Sequence, residues 1–166
     1  ARVFVTYNIA VREDELEELH SQMLKAQEAG ADAFIVRDER IFEMKDITVP
    51  LHASTQCAIR DIDRAKHFEE LGSARIVLER ELSLDTVRKI CNGVNCEVEF
   101  FVHGALCVCY SGECRLSEYL NGRSADRGKC IQACRSLYDL EDAPGNVLVR
   151  GKALPSVKDY NLLPRL

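Results

Sequence analysis

The sequence predicts an α/β protein: a partial TIM-type (β/α) barrel carrying a long cysteine-rich loop after the strand that ends near His103. Three observations predict it. Apolar runs rich in β-branched and aromatic residues alternate with segments of helical period, which is the pattern of a parallel sheet covered by helices. The runs themselves are nearly continuous in apolar residues, as strands buried on both faces are. An internal echo, Gly30-Ala31-Asp32-Ala33-Phe34-Ile35-Val36-Arg37 against Gly72-Ser73-Ala74-Arg75-Ile76-Val77-Leu78-Glu79, marks a repeated βα unit. Five strands at this spacing suit part of a (β/α)₈ barrel, and closing one takes about 250 residues. The chain has 166, so a piece of a larger barrel is expected rather than an open sheet.

Each element follows from its residues. Arg2-Val3-Phe4-Val5-Thr6-Tyr7-Asn8 is β-branched and aromatic, hence a strand. From Glu13 onward Leu16, Leu19, Met23 and Ala26 recur at helical spacing, with acids in the first turn and Gly30 as the stop. Residues 31–36 form the next strand, a short segment holds Ile41, Phe42 and Met44, and Val49 to Ser54 is extended. Ile59, Ile62, Ala65 and Phe68 give a second helix ending near Gly72, followed by a strand over 74–78. Leu84, Val87 and Ile90 form a helix face, and Glu97 to Val102 reads as a fifth strand. Beyond the loop, Pro144-Gly145 is a turn signal between Leu137–Leu140 and Val147–Val149, which predicts a hairpin. Ser156 to Asn161 reads as a helix cap region opening a further element. The expected divisions are 1–104 for the partial barrel, 105–135 for the loop, and 136–166 for the hairpin and the start of that element.

In a barrel of this kind chemistry gathers at the C-terminal ends of the strands. Those ends carry Asn8, Arg37-Asp38, Ser54-Thr55-Gln56, Glu79-Arg80-Glu81 and His103, polar or charged where an apolar run stops. The cysteine loop leaves the same face. It holds five of the eight cysteines: Cys107, Cys109, Cys114, Cys130 and Cys134. A loop this long inside a domain needs something besides an apolar core to order it, and a soft metal or an iron–sulfur cluster on thiolates would do so. The spacing lacks the tight Cys-x-x-Cys pairs of a zinc ribbon, which weakens zinc. Cys109, two residues from Cys107, is a spare ligand. Cys57, Cys91 and Cys96 read as small buried apolar residues.

Composition narrows the class. Hydrophobic residues make up 46% and charged residues 30%, an ordinary globular balance. No apolar run reaches the length of a membrane span, and the chain opens on a strand rather than a signal peptide. Thiol-rich chains without a secretory signal belong in a reducing compartment, so a cytoplasmic location is expected. A formal net charge of −5 argues against nucleic-acid binding over the whole surface. From Arg115 to Arg135, however, five basic residues face two acidic ones. With Tyr110, Tyr119 and Tyr138 nearby, that stretch could hold phosphates and stack a base, or grip a dicarboxylate through arginine forks; it could equally be a solvated loop whose charge balances an anionic cluster. His103 beside thiols or Ser111 makes a poor nucleophile–base pair, and neither a Gly-x-Ser-x-Gly elbow nor a His-Glu-x-x-His helix is present.

The residues also resemble a known family. Glu99-Phe100-Phe101-Val102-His103-Gly104-Ala105-Leu106-Cys107, Tyr110-Ser111-Gly112, Cys114, Leu116-Ser117, Arg123-Ser124, Arg127-Gly128, Cys130, Gln132 and Cys134-Arg135 are similar to the signature of the collagenase-like peptidases of unknown catalytic type (peptidase family U, number 32). His52 to Gln56 and Val77 to Ser83 resemble its other two blocks. The resemblance implies a barrel-like domain whose two preceding strands and later portion are missing here. It also implies oxygen-independent hydroxylation of ribosomal-RNA cytidine, transfer-RNA wobble uridine or ubiquinone precursors, with the Arg-Ser-x-x-Arg-Gly-x-Cys-x-Gln form leaning to the ribosomal-RNA branch. Implied with it are a [4Fe-4S] cluster on Cys107, Cys114, Cys130 and Cys134, and prephenate as the hydroxyl source of the RNA branches. The expected catalytic residues are Arg80, Glu81 and His103, with Gln56, Arg123 and Arg127 contacting substrate, RNA as partner, and no membrane. A true peptidase and a non-catalytic metal-stapled scaffold are the rival readings.

Overall fold

In the computed structural model, which describes residues 1–153 and 159–162, the first 100 residues build one parallel sheet. Strands β1 (Phe4–Tyr7), β2 (Ala33–Val36), β3 (Leu51–Ala53), β4 (Arg75–Val77) and β5 (Glu97–Glu99) lie side by side in chain order. Every neighbouring pair is parallel, with Phe4 opposite Ala33, Val36 opposite Ala53 and Ile76 opposite Val98. Helix α1 (Leu16–Glu28) joins β1 to β2, α2 (Ile62–Glu70) joins β3 to β4, and α3 (Leu84–Gly93) joins β4 to β5. Between β2 and β3 the connection is a 3₁₀ turn over Glu39–Glu43 instead of an α-helix.

The helices begin and end where their residues dictate. Asp61 accepts the Arg64 amide at 2.8 Å and Ser83 accepts the Thr86 amide at 3.1 Å, each satisfying an otherwise unpaired donor of the first turn. The two echoing glycines do the same job twice. Gly30 and Gly72 stand at φ +91° and +97° just past α1 and α2. Around them the amide pairs Gly30→Gln27 and Ala31→Ala26, then Gly72→Glu69 and Ser73→Phe68, close two Schellman motifs. The repeat seen in the sequence is thus a repeated helix stop feeding a strand.

One face of the sheet packs against the helices. Met23, Phe34, Val36, Ile41 and Ile47 form one cluster under α1; Ala53, Cys57, Ile59, Ala65, Phe68, Ile76, Leu78 and Ile90 form another under α2 and α3. Truncating Phe68, only 1% exposed, would cost about 3–5 kcal/mol. Alternation places Phe4, His52, Arg75, Glu97 and Glu99 on the opposite face. There Arg75 bridges Glu97 at 2.5 Å and Glu99 at 3.0 Å and lies 5.7 Å from the Phe4 ring centroid. Burial and the Arg75 charge both lower the pKa of His52.

The α/β class and the five parallel strands are as expected; among the described residues β1 and β5 are the two edges of the sheet and do not pair with each other. Other expectations change. The fifth strand stops at Glu99 instead of running on to Val102. Phe100 packs on the second core cluster and Phe101 lies under the Arg80 guanidinium at 4.3 Å, so the chain turns away from the sheet there. His103 therefore opens a separate strand, β6 (His103–Ala105). The cysteine stretch contains a helix, α4 (Leu116–Asn121), and short 3₁₀ turns at Ala125–Arg127 and Ala133–Arg135. Strands β7 (Leu137–Glu141) and β8 (Val147–Ala153) pair antiparallel across Pro144-Gly145. Of the expected cap region, Ser156, Val157 and Lys158 lie outside the described residues; Asp159–Asn161 is strand β9, held antiparallel to β6 rather than helical. No helix among the described residues is long and apolar enough to cross a membrane.

Candidate active site: a thiol-lined cavity at the strand ends

The charged residues at the strand ends hold the cysteine stretch by its backbone. Arg37, just past β2, donates to the Gly112 carbonyl at 2.8 Å and the Asp126 carbonyl at 3.0 Å. Glu79, just past β4 and 1% exposed, accepts the Ser111 amide at 2.8 Å. Burial raises its pKa, and the Ser111 amide pulls the other way. Glu81 accepts the Cys107 amide at 2.8 Å, and Arg80 donates to the Ala105 carbonyl at 3.2 Å. Gly112 completes the fit: at φ +83°, it presses so close to the Gln56 carbonyl that a Cβ there would overlap the oxygen.

A second set of bonds ties the far part of the stretch to the N-terminal connection. Arg127 donates to the Ala10 carbonyl at 2.7 Å and pairs with both oxygens of Glu15 at 2.8 and 2.5 Å. That pairing holds the Glu15 carboxyl at about 2. The Ala10 amide returns a bond to the Asp126 carbonyl at 2.8 Å. Within the stretch, buried Ser117 accepts the Ile131 amide at 3.2 Å and points its hydroxyl at the Cys130 sulfur at 3.9 Å.

Fixed from both sides, the stretch folds its five thiols around one cavity of about 250 Å³, walled also by Gln56, Arg80, Tyr110 and Arg135. Burial raises the pKa of Cys107, with Glu81 adding to the rise and Arg80 opposing it; burial likewise raises that of Cys109. Among the described residues no three His, Cys, Asp or Glu side chains stand close enough to hold a single metal ion. Tetrahedral zinc needs its thiolates about 2.3 Å from one centre. A [4Fe-4S] cluster takes one thiolate on each iron, so its ligands are spread around a cavity. Thiols arranged around one cavity are the donor type that such a cluster uses.

The placement of the expected residues is uneven. Cys107, Cys114, Cys130, Cys134, Gln56 and Arg80 line the cavity together, and Cys109 lines it too. Glu81 bonds to the Cys107 backbone. His103 is exposed in β6, opposite Asn161, and is not among the lining residues. Arg123 lines an outer groove next to Cys130, and Arg127 is held by Glu15 and Ala10. Cys57 is buried with its pKa pushed up to about 12, whereas Cys91, expected inside, is exposed because it falls on the outer side of α3. The backbone ties through Arg37, Glu79 and Gly112 went unforeseen; the only trace in the sequence is that charged residues follow the strands.

A family model described as "Peptidase family U32" matches residues 1–166. The chain belongs to peptidase family U32. Among its relatives in that family, "23S rRNA 5-hydroxycytidine C2501 synthase" of Escherichia coli (strain K12) is 46% identical over 159 residues, covering 96% of this chain and 24% of that protein. "tRNA hydroxylation protein P" of the same organism is 35% identical over 162 residues, covering 93% of this chain and 36% of that protein. The chain thus spans a quarter to about a third of the length of these relatives. The solved structure of the U32 peptidase Mk0906 aligns with a TM-score of 0.55 at 22% identity, over 63% of this chain and 47% of that one, a likeness of fold.

Proposed function

We propose that this U32 chain is part of an RNA-hydroxylating enzyme whose thiol cavity holds an iron–sulfur cluster. The observation that carries the reading is the gathering of Cys107, Cys109, Cys114, Cys130 and Cys134 around one cavity at the strand ends. The names of the two Escherichia coli relatives supply the reaction class, hydroxylation of ribosomal-RNA cytidine or of transfer RNA; in the second case the family resemblance points to wobble uridine. Bound in the cavity, a [4Fe-4S] cluster would supply redox chemistry without dioxygen. Four of the thiols, Cys107, Cys114, Cys130 and Cys134, would hold it. Arg80 forms no salt bridge among the described residues and faces the same cavity, so it is the residue to bind a carboxylate of prephenate, the hydroxyl source in this reading. Gln56 offers an amide to the base. The five-stranded sheet is read as an arc of a (β/α) barrel, with the Arg75–Glu97–Glu99 face turned toward the barrel interior.

A peptidase reading finds less support. Among the described residues the hydrogen-bonded histidines, His20 and His67, pair with Asp46 and Glu39, and no hydrogen bond joins a histidine to a cysteine or serine.

The test is anaerobic purification of the full-length protein. A brown protein with absorbance near roughly 400 nm, holding iron and acid-labile sulfide, is expected. Cys114→Ser should lose both, while Cys91→Ser and Cys96→Ser keep them. Mass spectrometry of RNA from a deletion strain should show the hydroxylated nucleoside missing and restored only by the cluster-bearing protein. A colourless protein holding one zinc, or peptide cleavage that survives loss of all metal, would sink the proposal.

A further inference from the structure

The basic residues around the cysteine stretch divide into two groups. Arg115 pairs with Glu118 at 2.8 Å and Asp126 at 3.5 Å, Arg127 with Glu15 at 2.5 Å, and Arg135 with Asp159 at 2.7 Å. These three fasten the loop. Arg12, Arg123 and Lys129 are exposed and form no salt bridge among the described residues. Their positions are related. Arg123 and Lys129 line one groove together with Cys130, and Lys129 lines a second with Arg12; the two carboxylates of that second groove, Glu118 and Asp126, are paired with Arg115. Cys130 also lines the thiol cavity, so the unpaired cations lead to its mouth. Two of the three are set the same way: Gly122 at φ +67° turns the chain just before Arg123, and Gly128 at φ +74° just before Lys129.

The chain carries a formal charge of −5, so its surface as a whole repels a polyanion. Contact with a phosphate backbone then has to fall on a local cluster of cations that are not held in salt bridges. We infer that Arg12, Lys129 and Arg123 form a phosphate track that holds the RNA strand beside the mouth of the thiol cavity. The inference rests on the RNA reading above and adds which cations carry it. Phosphate contacts of this kind fix the register of the strand and leave base choice to the cavity.

The experiment measures binding of a fluorescein-labelled single-stranded RNA oligonucleotide to the full-length protein across a salt series. Each phosphate contact on a single strand steepens the dependence of log K on log salt by about 0.7. Arg12→Gln, Arg123→Gln and Lys129→Gln should each flatten the slope by that amount, and the triple variant by about 2. Arg88→Gln on α3, whose partner is the neighbouring Asp85, should keep the wild-type slope. If the triple variant misfolds, the single variants at exposed side chains still report. Unchanged slopes in all of them overturn the track while leaving RNA binding intact. Variants that lose iron and sulfide but keep the slope overturn it too, because the cations would then serve the thiol site. A wild-type protein that holds its cluster and binds no RNA overturns this inference and the RNA reading together.

Discussion

Gly112 shows how much of the site depends on one missing side chain. Its backbone sits at φ +83°, which a residue with a Cβ adopts at a cost of about 1–2 kcal/mol. The Gln56 carbonyl also occupies the space a Cβ would take. Gly30 shares the positive φ but faces open space. Gly112→Ala should therefore lower the thermal midpoint more than Gly30→Ala does, and it should reduce the iron retained by the full-length protein while Gly30→Ala leaves it unchanged. Equal drops in midpoint would mean that the approach to Gln56 contributes nothing. The thiols could be picked out in the sequence because cysteine declares its chemistry by type. Gly112 could not, because the carbonyl that excludes a side chain belongs to a distant segment.

At the scale of elements, the strand ends act as a clamp on the cysteine stretch. Arg37 holds two of its carbonyls, and Glu79 and Glu81 each hold one of its amides. The sequence marked these positions as charged strand ends, and the family resemblance implied a catalytic role for Glu81. The structure gives Arg37, Glu79 and Glu81 backbone partners in the loop. Glu79→Ala would leave the buried Ser111 amide unpaired, at a cost of about 1–3 kcal/mol. Hydrogen exchange over 107–114 should accelerate in that variant with α1 to α3 unchanged, and Glu79→Gln, which keeps an acceptor, should exchange close to wild type. Unaltered exchange in Glu79→Ala would remove Glu79 from the clamp. Helices and strands were legible because apolar period, Asp61 and Ser83 as caps, and Gly30 and Gly72 as stops all act within a few residues. The end of β5 was not, because Phe100-Phe101-Val102 continues the apolar run while its packing on the core and against Arg80 turns the chain aside.

Across the whole molecule, the Arg127–Glu15 pair joins the cysteine stretch to the connection after β1. Arg127 holds the Glu15 carboxyl at about 2, against an ordinary value of 4.5. A depressed carboxyl contributes stability above its unfolded value and loses it as pH falls through its folded one. Arg127→Gln should thus melt below wild type at neutral pH, and the gap should narrow as pH falls from about 4.5 and close near about 2. A gap that stays constant over that range would show that the pair does not couple these two segments. Read from sequence alone, Arg127 looks like a cation free for substrate, because its carboxylate partner is 112 residues away.

The sequence by itself determined the alternation of strands and helices, the thiol-rich stretch after the fifth strand, and membership in a family with three ordered blocks. Those features are written in periodicity, caps and residue type, which operate over short separations. Only the tertiary structure decided which charges are engaged and which are left open. Arg37, Glu79 and Arg127 turn inward to bind the loop, while Arg12, Arg123 and Lys129 form no salt bridge among the described residues. A charged side chain finds its partner through segments that meet only once the sheet has formed, and no local pattern records that meeting.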